Sequence, residues 1–236
     1  MTTQEDALVF AKTHQKELIA KLCDLKKYPP STKPFTFFMA GSPGSGKTEF
    51  SKSFLKQLSI EEPSQKIVRL DTDELRELLP QYNGDNSDAV QPAATLLFDK
   101  AFDYIQEKKL NAIIDSTFAS PKSIQNVERA LGRNRKVGIL YLYQDPVVAW
   151  DYTKKREKLE GRKVPKHVFI NAYFSAKNNV NQVKLQFGNQ IELNLFEKDK
   201  ENNFVKKAKF NIQSLDEYLR EDYTQDVLEK ILPNEI

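Results

Sequence analysis

Gly41-Ser42-Pro43-Gly44-Ser45-Gly46-Lys47-Thr48 is the stretch whose reading decides the fold. It satisfies G-x-x-x-x-G-K-[ST], a motif that carries meaning only between a strand and a helix. Phe35-Thr-Phe-Phe-Met-Ala40 before it reads as a short buried strand. Phe50, Phe54, Leu55 and Leu58 after it recur on one helical face. Gly44 and Gly46 allow a tight backbone curl, so that freed N–H groups and the helix N-terminus face an anion. Residues 41–48 are therefore expected to cradle the phosphates of ATP. Lys47 is expected to reach the β- and γ-phosphates and Thr48 to ligate Mg²⁺. A glycine-rich turn without a ligand is the alternative, and it leaves Lys47-Thr48 unexplained.

On either side of this loop the chain alternates between the two periods. Residues 4–26 carry Leu8, Ala11, Leu18, Leu22 and Leu25 at helical spacing, and Pro29-Pro30 stops them, giving an N-terminal helical extension over 1–30. Lys66–Leu70, Asn111–Ile114 and Lys136–Tyr143 read as further strands. A short helix is expected from Asp71 to Leu79, then a polar loop over Gln81–Ser87. Ala94, Leu97, Phe98, Ala101 and Ile105 mark a longer helix. Ser120 and Pro121 read as N-cap and first residue of the next helix, with Gly132 at its end. Pro146 and Pro165 start two more. Gln190–Phe196 and Phe204–Phe210 read as a hairpin, and Leu215–Leu232 as a terminal helix. Such alternation predicts an α/β fold: a P-loop kinase-like parallel sheet with helices on both faces and an antiparallel edge hairpin. At 236 residues, a single domain over 1–236 is the simplest organisation.

Composition narrows the classes. Apolar residues make up 39% of the chain, enough for a packed core rather than a disordered one. No apolar run approaches the ~18 residues a membrane span needs, and Met1-Thr-Thr-Gln-Glu-Asp6 does not look like a secretory signal. The single cysteine, Cys23, fits a reducing cytoplasm and excludes a cysteine-based zinc site. The formal charge of +3 argues against a nucleic-acid coating protein. Charge concentrates in residues 154–167, where seven lysines and arginines face only Glu157 and Glu160. That segment reads as a basic lid hinged at Gly161, with Arg156 and Arg162 clamping phosphates. A solvated helical face is the plainer reading, but Gly161 and Pro165 interrupt the helix. His14 and His167 stand apart and receive no chemical role.

Three carboxylates sit where the ends of parallel strands line a ligand crevice. Asp73, just past the second strand, is placed to act as a base for an acceptor hydroxyl. Arg76, one turn on, is placed to hold an acceptor oxygen or to orient Asp73. Asp71 can cap the short helix with Glu74 as its capping-box partner, or join the substrate site. Asp115, which ends the third strand, reads as the acid near Mg²⁺ or bound substrate. The chain has no N-K-x-D guanine-reading motif and no L-S-G-G-Q-like segment, which leaves a small P-loop kinase among the P-loop classes.

In order, Gly-Ser-Pro-Gly-Ser-Gly-Lys-Thr, Leu70-Asp-Thr-Asp-Glu-Leu-Arg76, Ile113-Ile-Asp-Ser-Thr117 and Gly161-Arg-Lys-Val-Pro-Lys166 resemble the zeta toxin family of bacterial toxin–antitoxin systems. The resemblance implies a P-loop kinase that transfers the ATP γ-phosphate to the 3′-hydroxyl of UDP-N-acetylglucosamine, and a small antitoxin protein as partner. It implies Lys47 as the P-loop lysine, Asp73 as catalytic base and Arg156 and Arg162 as phosphate-binding arginines. Asp115 and Thr117 would contact the acceptor sugar. Two other readings remain open: a polynucleotide 5′-hydroxyl kinase using Asp73 and Arg76, and a non-catalytic nucleotide-binding module.

Overall fold

The computed structural model describes residues 2–160, 163–201, 204–219 and 223–233 of the chain. Helix α1 (Thr3–Leu22) precedes strand β1 (Phe35–Ala40), helix α2 (Lys47–Glu61), strand β2 (Ile67–Asp71) and the short helix α3 (Thr72–Glu77). Helix α4 (Ser87–Glu107), strand β3 (Asn111–Asp115), helix α5 (Lys122–Gly132) and strand β4 (Lys136–Tyr143) follow. Helices α6 (Pro146–Glu160) and α7 (Lys166–Phe187), the β5 (Ile191–Lys198) and β6 (Val205–Lys209) pair and helix α8 (Gln225–Ile231) complete the order.

The strands form one sheet in the order β2-β3-β1-β4-β5-β6. The first five pair in parallel, and β6 closes the edge antiparallel to β5. β1 therefore lies inside the sheet, and its side chains alternate between two covered faces. Phe38 and Ala40 join Leu97, Phe102, Ile105 and Phe118 on one face, while Met39 joins Ile113, Leu140 and the α2 residues Phe50, Phe54 and Leu58 on the other. Burial on both faces explains why β3 is buried throughout and apolar between Asn111 and its terminal acid. The registers Asp71↔Asp115 and Ala40↔Tyr141 bring the carboxyl ends of β1 to β4 to a common rim.

The terminal helix is a correction. Among the described residues of this stretch, helix is confined to Gln225–Ile231, and Leu215–Leu219 form a turn closed by the Leu219 N–H to the Leu215 carbonyl at 2.8 Å. Leu215 and Leu219 pack into the main core, whereas Leu228 and Leu232 join Trp150 and Phe169 in a separate cluster. Two short apolar pairs on different cores thus mimic one helical stripe. Smaller shifts are found elsewhere. α1 ends at Leu22, β5 extends to Lys198, and Pro121 rather than Ser120 is the N-cap of α5. Among the described residues, no helix is long and apolar enough to cross a membrane.

Candidate active site

The loop between β1 and α2 is shaped by backbone that only glycine tolerates. Gly41 has φ +136°, and a Cβ there would lie 2.3 Å from the Leu142 carbonyl oxygen. Gly44 has φ +72°, with a hypothetical Cβ 2.0 Å from the Ala149 carbonyl. The loop is thus pressed against β4 and the first turn of α6, and the Gly41 N–H donates to the Thr117 carbonyl at 3.1 Å. Thr117 is held in turn by Phe118, whose φ of +62° is a strained left-handed turn; Asn179 of α7 donates to the Phe118 carbonyl at 3.0 Å.

Lys47 turns its ammonium back over the loop, donating to the carbonyls of Gly41 (3.0 Å) and Ser42 (2.6 Å). Burial pushes its pKa down to about 8; the charge of Asp115 opposes the fall, and that of Arg156 adds to it. P-loop lysine, strand-end acid and α6 arginine therefore act on one another. Thr48 follows in the first turn of α2. Ser51, one turn on, lies 3.0 Å from the Thr48 carbonyl and 2.8 Å from Asp115 Oδ2.

Two arginine–carboxylate centres flank this loop. The first is built on Arg69, whose Nη2 reaches Asp71 at 2.5 Å and Asp115 at 2.6 Å. Its Nη1 pairs with Glu74 and its Nε donates to Ser51 at 3.0 Å. Asp71 does cap α3, accepting from the Asp73 N–H at 2.9 Å, but Glu74 turns to Arg69 rather than closing a capping box. Burial raises the Asp71 pKa to about 6, with the charges of Asp115 and Asp73 pushing the same way. The second centre is Asp73. Arg76 Nη1 donates to its Oδ1 at 2.7 Å, and Arg156 Nη2 lies 3.5 Å from its Oδ2. Arg76 is itself fixed by Gln91 of α4, whose Oε1 accepts from both Nε (3.1 Å) and Nη2 (2.6 Å).

The structure thus brings Lys47, Thr48, Asp71, Asp73, Arg76, Asp115, Thr117 and Arg156 to the rim of β1–β3. Arg162 lies outside the described residues. Gly161, the expected hinge, lies outside them too; of the segment's described residues, the Lys166 ammonium donates to the Glu229 and Leu232 carbonyls at the end of α8, and the Lys154 ammonium lies 4.3 Å from the Trp150 ring centre. Arg69, Ser51 and Gln91 were not singled out in the sequence. What marks Arg69 is its ion pair with Asp115 at the end of the neighbouring strand. The Thr48 hydroxyl and the Asp115 carboxylate, which Ser51 meets one helical turn after Thr48, are hard oxygens of the kind Mg²⁺ takes.

The sequence profile of the family described as "Zeta toxin" matches residues 19–209, most of the chain. The chain belongs to the zeta toxin family. Membership makes it a phosphotransferase of the P-loop kinase class. The fold agrees with that of a structure from the PezAT chromosomal toxin–antitoxin system of Streptococcus pneumoniae, at TM-score 0.61 and 15% identity, covering 95% of this chain and 88% of the other. A chain of the AvrRxo1-ORF1:AvrRxo1-ORF2 complex is similar at TM-score 0.55 and 15% identity, over 83% of this chain and 62% of that one. A chain of the Pnkp1/Rnl/Hen1 RNA repair complex gives TM-score 0.51 and 18% identity, over 65% and 47%. No curated sequence matches the chain.

Proposed function

We propose that this zeta toxin family member transfers the γ-phosphate of ATP to a hydroxyl of a UDP-activated amino sugar such as UDP-N-acetylglucosamine. The observation that carries the reading is the state of Asp73. Its carboxylate is oriented by Arg76 at 2.7 Å, faces Arg156 at 3.5 Å and stands past the end of β2, beside the P-loop. In that position Asp73 accepts the proton of the acceptor hydroxyl as the oxygen forms its bond to phosphorus and the bond to ADP breaks. Lys47 exchanges its loop carbonyls for phosphate oxygens, and Arg156, with Arg162, neutralises the phosphoryl group. Thr48, with Asp115 nearby, would hold Mg²⁺, which would supply further charge neutralisation on the phosphates. Thr117 and Asp71 border the acceptor side of the rim.

The PezAT structure comes from a toxin–antitoxin system. A small antitoxin protein and a growth-arresting role in the cytoplasm are proposed here by that likeness and the family. A second reading, a polynucleotide 5′-hydroxyl kinase, is favoured by one observation: the Asp73–Arg76 pair is formed and braced by Gln91. Measuring ATP consumption with UDP-N-acetylglucosamine, with a 5′-hydroxyl oligonucleotide and with neither separates the readings. Turnover with the sugar nucleotide, abolished in Lys47→Ala, is the expected result. Transfer to the oligonucleotide alone selects the second reading, and ATP binding without transfer to either selects a binding module.

A further inference from the structure

Lys198 closes β5 on the same face as Phe196. Phe196 packs its ring 4.7 Å from that of Phe50 in α2. Two residues on, Lys198 lies over the start of that helix, with its Nζ only 2.2 Å from where a Cβ on Gly46 would sit. The absence of a side chain at Gly46 is what makes room for the ammonium. Gly46 has φ +82° and leaves α2 with no side-chain cap, so the first N–H groups of the helix point outward beside the lysine.

This is an unfavourable place for a cation. Lys198 is 8% exposed, and burial lowers its pKa, with Glu49 only partly opposing the fall. The positive end of the α2 dipole adds to the cost. Among the described residues the Lys198 ammonium makes no hydrogen bond or ion pair. A methionine or leucine would fill the same space without the penalty. An anion at the helix N-terminus offsets both the burial cost and the dipole repulsion.

We propose that Lys198 is a second phosphate-binding cation of the nucleotide site, acting with Lys47 on the polyphosphate of a nucleoside di- or triphosphate. The proposal rests on residues 41–48 being a nucleotide site, and it adds a residue from the opposite end of the chain to that site. Its consequence is that affinity for ADP, as well as ATP, depends on β5.

The test is calorimetric titration of ADP and ATP into the full chain and its Lys198→Met, Lys198→Arg and Lys207→Gln variants, with melting temperatures measured without nucleotide. Lys198→Met is expected to keep or raise the melting temperature and to weaken ADP about ten- to a hundredfold, the range for a lost charge-assisted hydrogen bond. Lys198→Arg should recover most of that loss, and the exposed Lys207→Gln should bind as wild type. Wild-type ADP affinity in Lys198→Met overturns the proposal, and so does Lys198→Arg binding as weakly as Lys198→Met. Failure of the wild type itself to bind either nucleotide overturns the nucleotide reading and this inference with it.

Discussion

Arg69 with Asp71 and Asp115, and Arg76 with Asp73 and Arg156, use the same chemistry a few residues apart, yet their surroundings differ. In the first centre the side chains are 8%, 11% and 4% exposed, and Ser51 and Glu74 take up the remaining donors of Arg69. In the second, Asp73 is 29% and Arg156 45% exposed, and the Arg156 contact is long at 3.5 Å. The inner centre ties β2 to β3 and to α2, so it holds the rim in register. The outer one leaves a carboxylate oriented by Arg76 yet partly exposed, which suits a group that is to meet substrate. Sequence proximity to the P-loop therefore does not distinguish the acids; burial does.

Arg69→Ala is the change that separates the centres most sharply. It leaves Asp71 and Asp115 buried without their cation, and removing one member of a buried pair costs ~3–5 kcal/mol. Urea unfolding should show that loss. A variant unfolding near the wild-type midpoint would show the inner centre to be no strut. Arg156→Ala is expected to do the opposite. Exposed ion pairs contribute ~0–1 kcal/mol, so its melting temperature should stay close to wild type, while phosphoryl transfer slows roughly ten- to a hundredfold. Stability and rate measured on one preparation decide the point.

The smallest effect is a pH dependence. Asp71 carries a folded pKa of about 6 against an ordinary 3.8. Between those values the folded chain keeps a proton that the unfolded chain has lost, so the contribution of Asp71 is full below about pH 4 and is lost as pH rises through about 6. Two pK units set an upper bound of ~3 kcal/mol. Asn can keep the cap on the Asp73 N–H. Asp71→Asn should therefore gain stability relative to wild type as pH rises from 4 to 7, when denaturation midpoints are compared across that range. A difference that stays flat, or reverses, would place the ionised Asp71 among the stabilising groups.

What the sequence made legible follows from how local the signals are. β1 begins and ends where its apolar run does, because Pro34 and Gly41 bound it and both its faces are covered. The P-loop was readable because Gly41, Gly44 and Gly46 each need backbone that other residues cannot adopt. That Asp71 can cap the short helix was readable from helix-start chemistry alone. Arg69, Gln91 and Lys198 were not. Each gains its meaning from a partner many residues away, through strand register, a helix packed across the rim or a glycine's missing side chain. The stripe at Leu215–Leu232 failed for the related reason that periodicity does not say which core each residue joins.

The account's central claim is that Asp73, and not Asp71, takes the acceptor proton. Single-turnover transfer of the γ-phosphate to UDP-N-acetylglucosamine, compared between Asp73→Asn and Asp71→Asn, tests it most directly. Asn preserves shape in both positions, so only the proton-accepting carboxylate is lost, a role worth ~10²–10⁴ in rate. Asp73→Asn is expected to slow transfer by that factor while binding ATP normally, with Asp71→Asn within about tenfold of wild type. Full transfer by Asp73→Asn, with the loss falling on Asp71→Asn instead, would contradict the account.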